Sequence, residues 1–451
     1  MLVFLQSLVA FIVALGILVA VHEWGHFIVA RWCGVHVERF SIGFGKPFWT
    51  RVDKKGTEFA VAAIPLGGYV RMLDERIDDV PEYKRHLAFN NKPVLQRMAI
   101  IVAGPAVNFI FAVLALFLMF LIGQETVKPV VGEIKPASIA AAAQLQAGVE
   151  IVEIDGHSTP DWESVNLELV SAIGGDSVSI VVRNEQNLTR QVTLAISNWN
   201  FDPDKESALN SLGIVPFRPA ITLEVAVVSN GSPAAMAGIE KGDVLRSIDN
   251  EPIKSWMSLV ERIQNMPGQD AQFVVSRDGQ ERVVDVTIAR RDTEDGQRGF
   301  LGVSPLAEAW PEGYVFTHQY GPVDAMSRAV AKTGRLTAVS IDMLGKLVTG
   351  DVSLNNLSGP ISIAQGAGAS ASYGLAYFLN FLALISVSLG IINLLPIPML
   401  DGGHLLFYVV EWLTGKPVPE VVQEWGFKIG GALLFTMMSI AIFNDISRVA
   451  G

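Results

Sequence analysis

Cysteine is almost absent from this chain. Cys33 is the only one in 451 residues, which excludes an intramolecular disulfide. Charge is scarce too: charged residues make up 18% of the sequence against 50% hydrophobic, and the mean hydropathy of +0.38 is high for a soluble protein. There is no basic surplus. The net charge of −11 argues against a nucleic-acid partner. The N-terminus has neither the basic residues nor the small-residue cleavage pattern of a signal peptide, so Leu2 to Val21 reads as a retained membrane helix. Histidine is rare as well, with seven in all, and two of them stand four residues apart where that apolar run ends.

Those two flank His22-Glu23-Trp24-Gly25-His26. Ionisable groups at the end of a membrane helix are costly unless something offsets them. Positions i and i+4 share a helix face, so both imidazoles can reach one metal ion, with Glu23 beside them as a base for a bound water. Two histidines leave a catalytic zinc short of one protein ligand. Asp401 is the candidate third ligand, an ionisable group in apolar surroundings whose other reading is a helix cap. It lies in Asn393-Leu394-Leu395-Pro396-Ile397-Pro398-Met399-Leu400-Asp401-Gly402-Gly403-His404, where prolines and glycines free the backbone. His404 is a second candidate, as a substitute ligand or as a neighbour bonded to one. Cys33, seven residues beyond His26, is either a further donor or a small core residue.

The length predicts about three structural units. Apolar blocks at both ends flank a polar middle, and four spans are expected: 1–32, 98–122, 375–413 including a broken segment after Leu395, and 427–444. The intervening residues 33–97 are rich in Lys and Arg, which places them in the cytoplasm by the positive-inside rule and leaves the polar middle and both termini outside. Within this loop, Phe40 to Gly45 and Glu58 to Val70 read as strands with glycine turns, a hairpin region. The paired histidines and the broken segment then reach the same depth in the membrane. Residues 322–350 read as an amphipathic helix, with Val323, Met326, Val330, Leu344 and Leu347 on one face and Arg328, Lys332, Arg335, Asp342 and Lys346 on the other.

The polar middle repeats itself. Shifted by about 94 residues, Ser138, Ala141, Ala143, Gly148, Ile154, Asp155 and Trp162 meet Ser232, Ala235, Ala237, Gly242, Ile248, Asp249 and Trp256. The copies close on Leu212-Gly213-Ile214 and Leu301-Gly302-Val303. This pattern resembles tandem PDZ domains in their circularly permuted bacterial form, over 130–220 and 221–309. The first copy departs from it, with Ile139 in place of the proline and Val149 in place of the aspartate. The resemblance implies peptide binding as an added strand beside the Leu-Gly loops; the other reading is a steric spacer.

Taken together, His-Glu-x-x-His in the first span, Asn-x-x-Pro-x-Pro-x-Leu-Asp-Gly after the third, and PDZ domains between spans two and three resemble the site-2 protease family of intramembrane zinc metalloproteases. The match is closest to its bacterial members with tandem PDZ domains. The resemblance implies a multi-pass α-helical membrane protein with four transmembrane helices, a small membrane-associated β-sheet and two inserted α+β PDZ domains. It implies Zn2+ held by His22, His26 and Asp401, with Glu23 as catalytic base and Asn393 holding unwound substrate. Gly43, Gly45, Gly67 and Gly68 would belong to a membrane-dipping sheet whose edge receives the substrate. Asn108, bracing the helices, and His404 are candidates for a second layer around the ligands. The implied partner is a single-span membrane protein of the anti-sigma-factor class, already trimmed outside, with the PDZ pair acting as a size filter. The implied location is the bacterial inner membrane, in contact with lipid, with PDZ domains and both termini periplasmic. The alternative function is a membrane-tethered PDZ adaptor with a structural metal. A transporter with broken helices would carry paired repeats among its spans, and repetition occurs only in the polar middle.

Overall fold

The computed structural model describes residues 2–77, 79–199, 206–293, 296–350, 352–354 and 357–450. Residues 200–205, within the expected first PDZ copy, lie outside the described residues. Helix α1 (Leu2–Trp32) is followed by strands β1 (Val37–Val52) and β2 (Glu58–Met72), helix α2 (Val94–Ile122) and a short strand β3 (Gln124–Val127). The first repeat copy contains β4 (Val131–Ile134), α3 (Ile139–Ala142), β5 (Glu150–Ile154), β6 (His157–Ser158), α4 (Trp162–Ser171), β7 (Ser177–Arg183), β8 (Thr189–Ala195), α5 (Ala208–Leu212) and β9 (Ile214–Pro216). The second contains β10 (Ile221–Val228), α6 (Pro233–Met236), β11 (Val244–Ile248), β12 (Glu251–Pro252), α7 (Trp256–Gln264), β13 (Asp270–Arg277), β14 (Gln280–Thr287), β15 (Ala289–Thr293), β16 (Gly296–Phe300) and β17 (Val303–Ala307). The chain returns through β18 (Val315–His318), α8 (Pro322–Thr349), α9 (Pro360–Tyr373), α10 (Leu375–Leu394), α11 (Asp401–Thr414) and α12 (Glu420–Ala450). Among the described residues, four helices are long and apolar enough to cross a membrane: α1, α2, α10 and α12.

Residues 216–315 form one compact unit, and the remainder, including the first repeat copy, forms another. The repeated residues do the same local work in each unit. Ser138 accepts a hydrogen bond from Ala141 N, and Ser232 from Ala235 N, each capping its short helix. The glycines of the two Leu-Gly pairs adopt left-handed φ angles of 85° and 84°, and a Cβ there would stand 2.1 and 2.2 Å from those cap serines. Asp155 and Asp249 turn at φ 46° and 49°, with their carboxylates accepting from Ser179 N and Gln272 N. The first copy orders its main sheet β6-β5-β7-β8 around Ile151, Ile180 and Leu169, and pairs β4 with β9. The second runs β14-β13-β11-β10-β17 around Phe273.

Helix α8 buries a different stripe from the one its bulky residues mark. Ala325, Ala329, Thr333, Leu336 and Val339 are buried, whereas Val323 is 83% exposed. Small residues win the inner face because α8 packs closely against α2 and α10. Its basic residues are not left to solvent either. Lys332 donates to Glu163 at 2.9 Å and Arg335 Nε to Glu168 at 2.7 Å, both acceptors lying on α4 of the first repeat copy. Just before α8, His318 Nε2 donates to Asp161, which also accepts from Ser164 N to cap α4. A last tie runs from the end of the chain. Asp445 of α12 accepts from Gly359 N, Ile361 N and Ser362 N at 3.0, 2.7 and 3.1 Å, capping α9 from outside it. Helix α9 in turn lies so close to α1 that a Cβ on Gly368 would meet Ser7 Oγ at 2.1 Å.

Burial pushes the Asp161 carboxyl up, but hydrogen bonds from His318 and Ser164 outweigh it and bring the pKa down to about 2. A folded-state pKa below the unfolded value stabilises the fold above the unfolded pKa, and that contribution is lost as pH falls through the folded one. The shift corresponds to about 2 kcal/mol. Asp161→Asn, which keeps a capping oxygen, should therefore lower the thermal midpoint at pH 7. The difference from wild type should shrink as pH falls from about 4 toward 2, read by thermal unfolding of the purified protein at each pH.

Candidate active site

The site is built where α1, α2 and α11 converge. Helix α1 presents His22 and His26 one turn apart, with the His26 side chain buried. Helices α1 and α2 touch through glycines. A Cβ on Gly25 would lie 2.3 Å from Ala103 O, and one on Gly104 would lie 2.2 Å from His26 Nε2 and 2.9 Å from His22 Cε1. Small residues at helix crossings allow this closeness in a membrane. Gly104 thus leaves the space in which the two ring nitrogens meet.

Helix α2 also orients both rings. His26 Nδ1 donates to the Ile100 carbonyl at 2.8 Å, which leaves Nε2 with its lone pair. The Asn108 side chain is fully buried and its amide sits 3.1 Å from His22 Nδ1. The nitrogen and oxygen of an amide exchange by rotation, and Asn108 Oδ1 has no other partner. Turned toward the ring, that oxygen accepts the Nδ1–H and leaves His22 Nε2 free to ligate. Ser386 of α10 donates to Asn108 O at 2.9 Å, fixing the backbone there.

Asp401 opens α11, just after a turn in which Met399 takes φ 90°, a left-handed value that strains a side-chain-bearing residue. Cβ atoms on Gly402 and Gly403 would fall 2.2 Å from Leu395 O and 2.4 Å from Ile397 O, so only glycines let α11 begin against the broken segment. The Asp401 Oδ2 atom is buried and accepts no conventional hydrogen bond. It lies 3.2 Å from His22 Nε2 and 3.4 Å from His26 Nε2, and the two nitrogens are 3.3 Å apart. Ligands at ~2.05 Å from a tetrahedral zinc stand roughly 3.3 Å from one another. Three donor atoms at that spacing, each able to offer a lone pair, fit a zinc ion. Among the described residues this is the one group of His, Cys, Asp and Glu with metal-ligand spacing.

The chain matches the profile of peptidase family M50 over residues 10–437. The chain belongs to peptidase family M50. It is 51% identical to the regulator of sigma E protease of Salmonella typhi, with each chain covered in full. It is 50% identical to the regulator of sigma-E protease RseP of Escherichia coli K12, again over 100% of both. Among solved structures, a PDZ domain of the SdrC-like protein of Listeria monocytogenes is 18% identical, covering 20% of this chain and 93% of its own, with a TM-score of 0.17. As an M50 peptidase the chain is a zinc-dependent metalloendopeptidase of the intramembrane, site-2 type.

The other sequence-derived candidates fall into three groups. Gly68 lies against the histidine helix: a Cβ there would stand 3.2 Å from Glu23 Cγ and 2.7 Å from Val19 Cγ1. Its strand is part of a folded sheet in which Phe40 lies between Phe59 and Val70, Ser41 between Ala60 and Tyr69, and Ile42 between Val61 and Gly68. Among the described residues, the 68–70 segment of β2 pairs with β1 and with no other strand. Gly67, Gly43 and Gly45 shape the same sheet at φ 148°, 88° and 88°. Asn393, in the last turn of α10, is half-buried, and its side chain makes no hydrogen bond among the described residues. Neither His404 nor Cys33 belongs to the group formed by His22, His26 and Asp401. His404 packs its ring 5.2 Å from Phe427, and Cys33 packs with Phe27, Ala30 and Val35. Gly25, Gly104 and the Ile100 carbonyl escaped sequence reasoning; the small pair Gly104-Pro105 in an apolar helix was the available signal.

Because a methyl group at Gly104 would occupy the space of His26 Nε2, Gly104→Ala should leave the protein membrane-inserted but reduce bound zinc. A drop of about 10-fold or more is expected, measured as metal per protein after purification at a fixed chelator concentration.

Proposed function

We propose that this M50 peptidase cleaves a peptide bond inside the membrane segment of a single-span protein, with His22, His26 and Asp401 as zinc ligands and Glu23 as the general base. The three matched ligand spacings carry this reading. Bound zinc would supply Lewis-acid chemistry, acidifying water and polarising the scissile carbonyl. Glu23 accepts the proton of the attacking water and returns it to the leaving nitrogen, which spares that nitrogen from departing as an anion. A helical peptide bond has its carbonyl engaged and its faces shielded, so the substrate is held extended. The strand edge at 68–70 offers backbone groups for an added strand beside Glu23, and the Asn393 amide offers a donor and an acceptor to backbone released from its helix.

The names of the sigma-E regulating relatives favour an anti-sigma factor as substrate and an inner-membrane location. The basic loop favours a cytoplasmic position for residues 33–97 and a periplasmic one for the repeat copies and both termini. In this arrangement the repeat copies, as circularly permuted PDZ domains, act as a filter that keeps bulky untrimmed substrates from the site.

Glu23→Gln should keep zinc at wild-type stoichiometry while cleavage of a transmembrane reporter falls by about 10²–10⁴-fold. Full cleavage by the variant would remove Glu23 as base and favour the adaptor with a structural metal. The filter has its own test. Deleting residues 130–305 should permit cleavage of an untrimmed substrate, and strict dependence on prior trimming in an active deletion variant would refute it.

A further inference from the structure

Below the metal cluster, α2 and α11 meet around a cavity of about 310 Å3 whose walls include Asp74, Arg76, Arg97, His404, Tyr408 and Glu411. Arg97 and Glu411 join across it in a two-pronged ion pair, Nη2 to Oε1 at 2.6 Å and Nη1 to Oε2 at 3.1 Å. Their side chains are only 13% and 19% exposed. The guanidinium is held on every side. Its Nε donates to Lys92 O at 3.0 Å, and its plane lies 4.9 Å from the Tyr408 ring. Arg76, the other cation of the cavity, is taken by Asp74 at 2.6 Å.

The two ends of this pair sit on the helices that carry or orient all three ligands. Arg97 is three residues before Ile100, whose carbonyl fixes His26. Glu411 is on the helix that begins at Asp401. The wall also carries apolar rings and aliphatic groups (Phe89, Ile101, Phe407), and such surfaces by themselves slide past one another at little cost. A two-pronged, shielded ion pair does not slide: moving one helix by a turn leaves two buried charges without partners. Buried polar pairs fix helix register in this way in coiled coils.

We propose that the Arg97–Glu411 ion pair is a positioning device for the metal site, setting the register of α11 on α2 and so the distance of Asp401 from His22 and His26. This rests on the reading of those three residues as zinc ligands. Neither Arg97 nor Glu411 touches the metal or the substrate; both act through the helix that presents Asp401.

The test uses the full-length chain, purified in detergent and loaded with Zn2+ or Co2+. Arg97→Gln and Glu411→Gln should each weaken metal affinity by about 10–100-fold in a chelator competition. Each should also alter the visible Co2+ spectrum and lower kcat with little change in KM. The exchanged double variant, Arg97→Glu with Glu411→Arg, should restore affinity and spectrum toward wild type. Wild-type affinity and spectrum in the single variants would overturn the proposal, as would loss in the singles with no recovery in the exchanged pair. If the Gln variants do not fold, Glu411→Asp decides. It keeps the charge but shortens the reach, so it should shift the Co2+ spectrum; an unshifted spectrum would overturn the proposal. Asp401→Ala is measured alongside. Unchanged metal affinity there would refute the ligand assignment itself, whereas loss there combined with wild-type behaviour at Arg97 and Glu411 would refute only the positioning role.

Discussion

Helices α1 and α2 meet backbone to backbone at Gly25, and Gly104 leaves room beside it for the His22 and His26 rings; the geometry of the site depends on that contact. Imidazoles at the end of an apolar helix need partners, because hydrocarbon supplies none. Close approach lets α2 supply them from its own backbone and from one amide: the Ile100 carbonyl for His26 and Asn108 for His22. A wider crossing would separate the rings from these partners and release them to rotate. The two imidazoles are thus aimed by a neighbouring helix rather than by the helix that carries them.

The same economy extends outward from the site. Helix α11 begins against the broken segment because two glycines admit backbone oxygens at distances a methyl group could not tolerate. The sheet of β1 and β2 approaches Glu23 through Gly68 for the same reason. Farther out, where water returns, charge takes over from close packing. The first repeat copy is tied to α8 through Glu163 and Glu168 and to β18 through Asp161, and α9 is capped by Asp445 from the far end of the chain. The helical body and the first repeat copy are therefore one compact unit, while residues 216–315 cohere separately.

Much of this was legible in the amino-acid sequence. An imidazole pair, a glutamate and a later aspartate in apolar surroundings are conspicuous because each is costly there, and the repeat is visible because capping serines, turn aspartates and close-packed glycines recur with the same spacing. Other features were hidden for physical reasons. A backbone carbonyl such as that of Ile100 belongs to every residue and leaves no signature. The inner stripe of α8 is made of alanine and threonine, so reading it by bulk selects Val323 and Val330, which close packing leaves outside. The polar turns that begin α2 at Val94 and α12 at Glu420 are part of their helices, yet apolar runs alone mark only the stretch beyond them. His404 has the chemistry of a ligand, but its side chain meets Phe427 instead.

The distance along the chain between the clustered residues has a consequence in time. Asn108 follows His22 by 86 residues, whereas Asp401 follows His26 by about 375. At the usual pace of synthesis, roughly 5–20 residues per second, the two histidines wait some tens of seconds for their third partner. During that interval α2 is already present to hold the rings in place, but a pair of imidazoles alone makes a weak and open-sided metal site. The three-residue cluster is complete only when α11, near the end of the chain, has joined α1 and α2. A nascent chain of this design lacks the complete cluster for most of its own synthesis.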